Sequence, residues 1–516
     1  MKNNPLLSSK DLRQIKRLGL DLNTVEKQLA LHRHGSNFLK LKKSCAVKDG
    51  ILSFTSTQRK NLISFYEEQS EKYKLIKFVP ASGAASRMFS EWFNASEKGS
   101  FGSAELDRLF LKNLTKYPFF DLIREKSPGR RLIGEKNIGG LLSYVLFSDG
   151  LNFSKYPKAL IPFHYYHSGE IRTALDEHIC EAAQYVRDKN NTCHIHFTLT
   201  PDLKKEALKY LKTALSKYEK LYNVRYKITF SLQESSTCTI AVDKNNRPFR
   251  DEQGRIVFRP GGHGTLLGNL NKLNADFIFV KNIDNVAPEI LWKDIIPYKK
   301  LIGGLAIQVQ EKIFTALRQL ENSKISSPQT EKIADFCSAR LNIIFPRNFA
   351  RQSQKEKVKF LTSALNRPLR VCGVVRNENE PGGGPFWVEE NDGTLTLQVV
   401  ESAHVDKTKK DQSAIWSQAG YFNPVDMVCG IKDYRGNKFN LFNYVNNDAF
   451  LITTKSEKGC EIKALEVPGL WNGSMAYWNT IFVKMPFIVF NPVKTVNDLL
   501  RPEHVIPKIR NDRRSK

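Results

Sequence analysis

A chain of 516 residues, 41% apolar and 11% aromatic, has enough material for an extensive core, which excludes a disordered protein and predicts two to four domains or one large enzyme fold with additions. Lys and Arg number 79 against 53 Asp and Glu, a formal charge of +26 that favours anionic ligands. The basic residues lie in short scattered clusters (LKLKK, PYKK, DKTKK) with one basic tail, RNDRRSK, so general surface charge explains the surplus better than a nucleic-acid partner does.

The amino-terminal MKNNPLLSSKDLRQIKR has no apolar h-region, so no secretory signal is expected. Residues 1–74 read as a helical segment joined by polar loops. From Leu75 strands and helices alternate. LIKFVPA is followed by a helix, and CHIHFTLT alternates with period two. Pro201 then opens the long amphipathic stretch DLKKEALKYLKTALSKYEKLY, and YKITFSL, CTIAV and ADFIFVKNID follow. That order predicts an α/β core over 75–290 whose central sheet is mostly parallel, with helices on both faces. A helical insertion is expected over 291–367, containing IGGLAIQVQEKIFTALRQLEN, and a carboxy-terminal α+β part over 368–516. The most apolar window, AYWNTIFVKMPFIVF, is interrupted by Asn479, Lys484 and Pro486 and is too short for a membrane span. Eight widely spaced cysteines without a CxxC pair predict reduced thiols in a cytoplasmic protein.

The densest local signal is PASGAASRMF, Pro80 to Phe89, between an apolar strand and a helix. Small residues let the backbone approach a ligand, a helix start offers free N–H groups to phosphate, and Arg87 adds a forked cationic donor. Tight strand-to-helix packing explains the same residues equally well. GxGxxG is absent and no GKS or GKT follows, so neither the dinucleotide fingerprint nor a P-loop is present. The loop resembles that of the sugar nucleotidyltransferases through Gly83, Ser86, Arg87 and Met88, with Ser82 and Ala85 where glycine is common. The resemblance implies phosphate and nucleotide contacts from Ala81, Ser82, Gly83, Ala84 and Ser86, with Arg87 holding phosphates.

Four further stretches fall in the order of the UDP-sugar pyrophosphorylase branch. YPKALIPFH resembles its Pro-Lys-x-Leu segment and makes Lys158 the lysine that offsets transition-state charge. FSLQESS makes Gln233 a candidate for base or sugar recognition, a polar strand end being the alternative. RPGGHGTLLGNL resembles a Pro-Gly-(Gly/His)-x-Gly loop and places Gly261, Gly262, His263 and Gly264 against a nucleotide. FIFVKNIDNV resembles a strand ending in Val-Asp-Asn or Thr-Asp-Asn and makes Asp284 a Mg²⁺ ligand, with a helix cap formed by Asp284 and Asn285 as the alternative. A second ligand is expected from FNPVKTVNDLL, where Asp498, or Asn497 in its place, occupies the late position; Asp498 as an N-cap is equally open.

Several polar stretches remain without an assigned role. They are IPFHYYHSGEIRTALDEH with His164, His167, Arg172, Asp176, Glu177 and His178; EPGGGPFWV as a lid or a plain interstrand loop; GLWNGSMAYWNT with Trp471, Asn472, Trp478 and Asn479; and VESAHVD with Glu401 and His404. Over nearly its full length the chain resembles a bacterial family known only as domain of unknown function 4301, grouped by resemblance with the GT-A type nucleotidyltransferases. What that implies is a Mg²⁺-dependent transfer of a nucleotidyl group from an NTP, UTP first, to a sugar 1-phosphate, with no membrane partner. A non-catalytic regulator of the same fold that binds a nucleotide or sugar phosphate is the alternative.

Overall fold

The computed structural model describes residues 6–506 except 82, 84, 234, 379 and 381. They form two compact units. One comprises the residues up to Lys74 with 232–280 and 301–486, the other 75–231, 281–300 and the residues from Phe487 onward. These units follow different lines from the blocks 75–290, 291–367 and 368–516 read along the chain. The reason is long-range strand pairing: Leu369–Arg376 runs parallel to Asn479–Lys484, and Cys238–Val242 runs antiparallel to Cys460–Glu466. Such pairings set domain limits and leave no local trace in sequence.

In the second unit the strand Leu75–Pro80 runs parallel to Thr192–Leu199, from Lys77 opposite Ile195 to Pro80 opposite Thr198. Arg225–Leu232 lies on the far side of Thr192–Leu199, and the helix Pro201–Tyr222 connects these two strands. Proline in its first turn and Asn223 in the left-handed region at its end are the expected start and stop signals. The core collects Val79, Met88, Phe89, Trp92, Phe197 and Ile283. Phe110, Tyr117 and Phe119 meet the Trp92 ring edge-on at 5.5, 5.3 and 6.0 Å, the geometry that aromatic quadrupoles favour.

His196, on the strand Thr192–Leu199, is buried between the hydroxyls of Thr229 and Ser231, each 2.8 Å from a ring nitrogen. Burial lowers its pKa to about 4 from the ordinary 6.5. The unfolded chain therefore holds one more proton than the fold between those values, and stability rises with pH across that window, by at most about 1.4 kcal/mol per pH unit from this group. The urea midpoint is expected to fall on acidification through this window, less steeply for His196→Asn; identical slopes for the two proteins would contradict the assignment.

The first unit is mixed α/β. Its largest set of strands has the order Ala46–Val47, Gly50–Leu52, Asn479–Lys484, Leu369–Arg376, Asp426–Gly430, Phe277–Lys281. Asn479–Lys484 pairs parallel on both sides, whereas Asp426–Gly430 runs antiparallel to Leu369–Arg376, so the pairing here is not uniformly parallel. The amino-terminal segment is helical at Ser9–Arg17, Leu22–His34 and Ser56–Gln69 but carries strands at Lys40–Ser44, Ala46–Val47 and Gly50–Leu52. LKLKK is thus a strand: Leu41 points into a cluster with Phe386, Val388 and Val400 while the neighbouring lysines face outward. The helix Trp292–Leu320, 29 residues long, contains IGGLAIQVQEKIFTALRQL, all but the last two residues of the periodic stretch, and Ser327–Leu341 and Gln354–Leu365 follow.

Pro381 of EPGGGPFWV lies outside the described residues, and the aromatic half of the stretch is built into the fold and does not shield a ligand. Gly384–Glu389 is a strand paired on both edges, Phe386 stacks on Trp416 with centroids 5.3 Å apart, and the Trp387 indole donates to Asp49 at 3.1 Å. All eight cysteines are free thiols. No helix among the described residues is long and apolar enough to cross a membrane.

Candidate functional site

The strand Leu75–Pro80 delivers the chain into the small-residue bend. Of the residues expected to contact nucleotide there, Ser82 and Ala84 lie outside the described residues. Ala81 is buried and its N–H donates to the Thr198 carbonyl at 3.0 Å; Ala85 donates to Tyr156 at 3.2 Å. Gly83 is exposed, and a Cβ there would meet nothing within 4 Å. A 3-10 turn over Ala85–Arg87 intervenes before the α-helix Ser90–Lys98. Ser86 and Arg87 are exposed on that turn, and among the described residues no ion-pair partner faces the Arg87 guanidinium.

Lys158 joins this bend to the acid at the end of FIFVKNID. Its backbone N–H donates to the Gly83 carbonyl at 3.2 Å, and its ammonium lies 3.2 Å from Asp284 Oδ2, the two side chains being 13% and 26% exposed. Among the described residues Asp284 Oδ1 has no partner. No helix begins at Asp284. Asn285 is buried, and its amide bonds the backbone of Val489 and Asn491 instead of capping a helix. The Asp284 carbonyl accepts from Val493, and the Met88 carbonyl from Val496, both at 3.0 Å. One late segment of chain is therefore pinned to both the acid's turn and the residue after Arg87.

Asp498 sits in that late segment. Its Oδ2 accepts from the N–H groups of Lys494 and Thr495 at 2.8 and 2.7 Å and from the Thr495 hydroxyl at 3.2 Å; its Oδ1 pairs with Arg501 at 2.6 Å. The carboxylate closes a capping box, and no bond joins it to Asp284 or Lys158. Asn497 is turned to Tyr117 and Glu91, at 2.9 and 3.1 Å. Among the described residues no group of three His, Cys, Asp or Glu side chains is spaced to hold a metal ion.

The glycine loop Gly261–Gly264 and Gln233 belong to the first unit. Gln233 donates to the Thr265 hydroxyl at 3.3 Å, which itself donates to the Gly262 carbonyl at 2.8 Å. A Cβ on Gly264 would stand 2.1 Å from the Pro468 carbonyl oxygen, and one on Gly261 2.9 Å from that of Thr237. Gly262 holds φ +79° against Glu466. Chain packing alone thus demands these glycines. His263 accepts the Leu470 N–H on Nδ1 at 3.0 Å and stacks on Trp471 with centroids 4.2 Å apart. Burial pushes this imidazole down to about 4, so it is neutral, with its remaining N–H on Nε2, 3.8 Å from Glu401 Oε1. Burial also raises the Glu401 carboxyl, against hydrogen bonds from Trp471 and Asn472. Glu401 and Trp471, unplaced by sequence, therefore join His263, while Trp478 and Asn479 are buried in the fold.

The polar stretch around the helix Ala174–Ala182 is interior. Every residue of that helix is buried. Asp176 and Thr173 form its capping box, Glu177 accepts from His164 and Tyr166 at 2.8 Å each, and Arg172 binds Glu170 and Glu289 at 2.8 and 2.6 Å. Burial raises Glu177 to about 8 despite Arg172. Only His167 of this group is exposed. A second buried set was not anticipated: Glu181 accepts from Lys77 and Lys281 at 2.5 and 2.6 Å. Its signal was a lysine inside each of two apolar strand runs, LIKFV and FIFVK.

The molecule is thus a mixed α/β protein with a lysine–carboxylate pair beside an exposed small-residue bend. It belongs to the family described as Domain of unknown function (DUF4301), whose model matches residues 8–505. The fold is similar to UDP-glucose phosphorylase from Trypanosoma brucei, with 14% identity over 95% of this chain and 77% of that one and a TM-score of 0.46. It is also similar to UDP-glucose pyrophosphorylase from Leishmania major in complex with UDP-glucose, with 13% identity, 96% and 79% coverage and a TM-score of 0.42. A third similar structure is uridine diphosphate N-acetylglucosamine pyrophosphorylase from Trypanosoma brucei, with 11% identity, 89% and 72% coverage and a TM-score of 0.46. No match is found among proteins of curated function.

Proposed function

We propose that the protein transfers a nucleotidyl group from an NTP, UTP first, to a sugar 1-phosphate, releasing pyrophosphate. The observation that carries this reading is Lys158, whose backbone holds Gly83 and whose ammonium meets Asp284. That contact brings an open bend, a lysine and an acid together in one place. A phosphate oxygen of the acceptor attacks the α-phosphorus in line; the new O–P bond forms as the bond to the β-phosphate oxygen breaks, and pyrophosphate leaves with the electron pair. No protein nucleophile is required, so positioning and charge neutralisation supply the acceleration. Arg87, Gly83 and Ser86 would hold phosphate oxygens, and Lys158 would exchange its carboxylate partner for the phosphates as charge develops.

The donor set fits Mg²⁺, which takes one or two carboxylates and completes its shell with phosphate oxygens and water. Asp284 presents one oxygen to Lys158 and one without a partner among the described residues. When bound, the metal would neutralise charge on the nucleotide oxygens. Asp498, engaged in its cap, would hold the segment pinned to Asp284 and would become a ligand only by releasing that cap. For the first unit we propose contact with a base or sugar ring at Gly262 and His263, with Gln233 setting the loop through Thr265; Gly261 and Gly264 would shape the loop. Free thiols fit a reducing, cytoplasmic setting.

The engagement of Asp498 favours one second reading, a regulator that binds nucleotide without turning it over. Incubation with each NTP, Mg²⁺ and a panel of sugar phosphates, following pyrophosphate, separates the two. Release with UTP and one sugar phosphate is expected. UTP binding without release from any pair would leave the regulator.

A further inference from the structure

Two strand ends carry the groups of the proposed site, and both are tied to one buried carboxylate. Lys77 lies on the strand that leads into the bend at Gly83, and Lys281 three residues before Asp284. Glu181, on the buried helix Ala174–Ala182, takes Lys77 on Oε2 at 2.5 Å and Lys281 on Oε1 at 2.6 Å. The same helix makes two further ties: the His178 carbonyl accepts from Lys77 at 2.9 Å, and the His178 ring bonds the Ile283 carbonyl at 3.2 Å. Lys77, His178, Glu181, Lys281 and Lys299 are all less than 5% exposed. Such a cluster is costly to bury, and it contains more lysine than carboxylate.

Its charge state follows from that imbalance. Desolvation would raise the Glu181 carboxyl, but Lys281, Lys77 and Lys299 hold it well below the usual range. Desolvation drives Lys299 well below its ordinary value and lowers Lys77 to about 8, against the pull of Glu181. Glu181 is thus a fixed anion and the charged member of the bridge, beside the two ties that His178 makes. Ordinary packing would fill this space with apolar side chains at less cost; a two-armed carboxylate instead fixes the distance between Lys77 and Lys281.

We propose that Glu181 is a positioning residue that sets the separation of the Gly83 bend and the Asp284 turn by bridging Lys77 and Lys281. The inference rests on the nucleotidyltransferase reading for its purpose, but not for its test. Amide hydrogen exchange is read without ligand on the wild type, Glu181→Gln, Glu181→Asp, the double variant Glu181→Gln/Lys77→Met, and Phe110→Leu as a core control in the same unit. Glu181→Gln is expected to speed exchange about tenfold in both 76–81 and 278–286 beyond the loss of global stability, with the control moving neither segment selectively. Glu181→Asp, which keeps the charge on a shorter arm, is expected to show the same paired change more weakly, and it decides the matter if the glutamine variant does not fold. The double variant removes one of the two lysines that lose their carboxylate, Lys77, and is expected to regain part of the urea stability without regaining protection of the two segments. Protection regained together with stability, or exchange rising equally in the control, would overturn the proposal. UTP titration runs in parallel: failure of the wild type to bind would count against the nucleotide reading and leave the exchange result to judge Glu181.

Discussion

Asp284→Asn is expected to lower pyrophosphate release by about 10²–10³-fold, the usual cost of removing one electrostatic stabiliser of a transition state, while thermal stability stays within about 0.5 kcal/mol. The carboxylate is partly exposed, and among the described residues its one ion pair is with Lys158, so asparagine removes a partly exposed charge and leaves no buried void. The backbone bond from Val493 to the Asp284 carbonyl is untouched, and the buried anchor of the turn is the neighbouring Asn285. A pyrophosphate assay and a melting curve on the same preparation read the two quantities. Unchanged release would remove Asp284 from the chemistry; a collapsed melting curve would show that the pair with Lys158 holds the fold instead.

The second large effect contrasts two glycines. Gly264→Ala would drive a Cβ to 2.1 Å from the Pro468 oxygen, a clash with backbone that is expected to cost about 1–3 kcal/mol of stability. Gly83→Val would set its Cβ where nothing stands within 4 Å, so stability is expected to hold while nucleotide affinity falls, by up to about 10²-fold if the phosphates are displaced by an ångström. Urea unfolding and UTP titration of the two variants check this. Equal loss of stability in both would mean that the bend is a packing device, the alternative that the sequence left open.

The contrast also shows what was legible in sequence. PASGAASRMF and RPGGHG look alike as glycine-bearing loops, yet the constraint on Gly264 comes from Pro468, some two hundred residues on, and no local pattern records it. The long helix from Pro201 was readable because its start and stop signals are neighbours in the chain. Lys158 and Asp284 were readable by resemblance as parts of one site; their direct ion pair, across 126 residues, was not. The shielding role read for Phe386 and Trp387 failed because both are buried by partners at Trp416 and Asp49. Lys77 and Lys281 did leave a trace, since a lysine within an apolar strand must find a buried partner. RTALDEHICEA gave no sign of being that partner, because nothing local in its charged residues records that every face of the helix is covered.

The most direct test is a double-mutant cycle on UTP affinity in Mg²⁺ with Gly83→Val and Asp284→Asn. If bend and acid grip one triphosphate, each single variant weakens binding about tenfold or more and the double variant loses much less than the product, a coupling of at least about 0.5 kcal/mol. Penalties that simply multiply, or a wild-type protein that binds no UTP, would contradict a shared site.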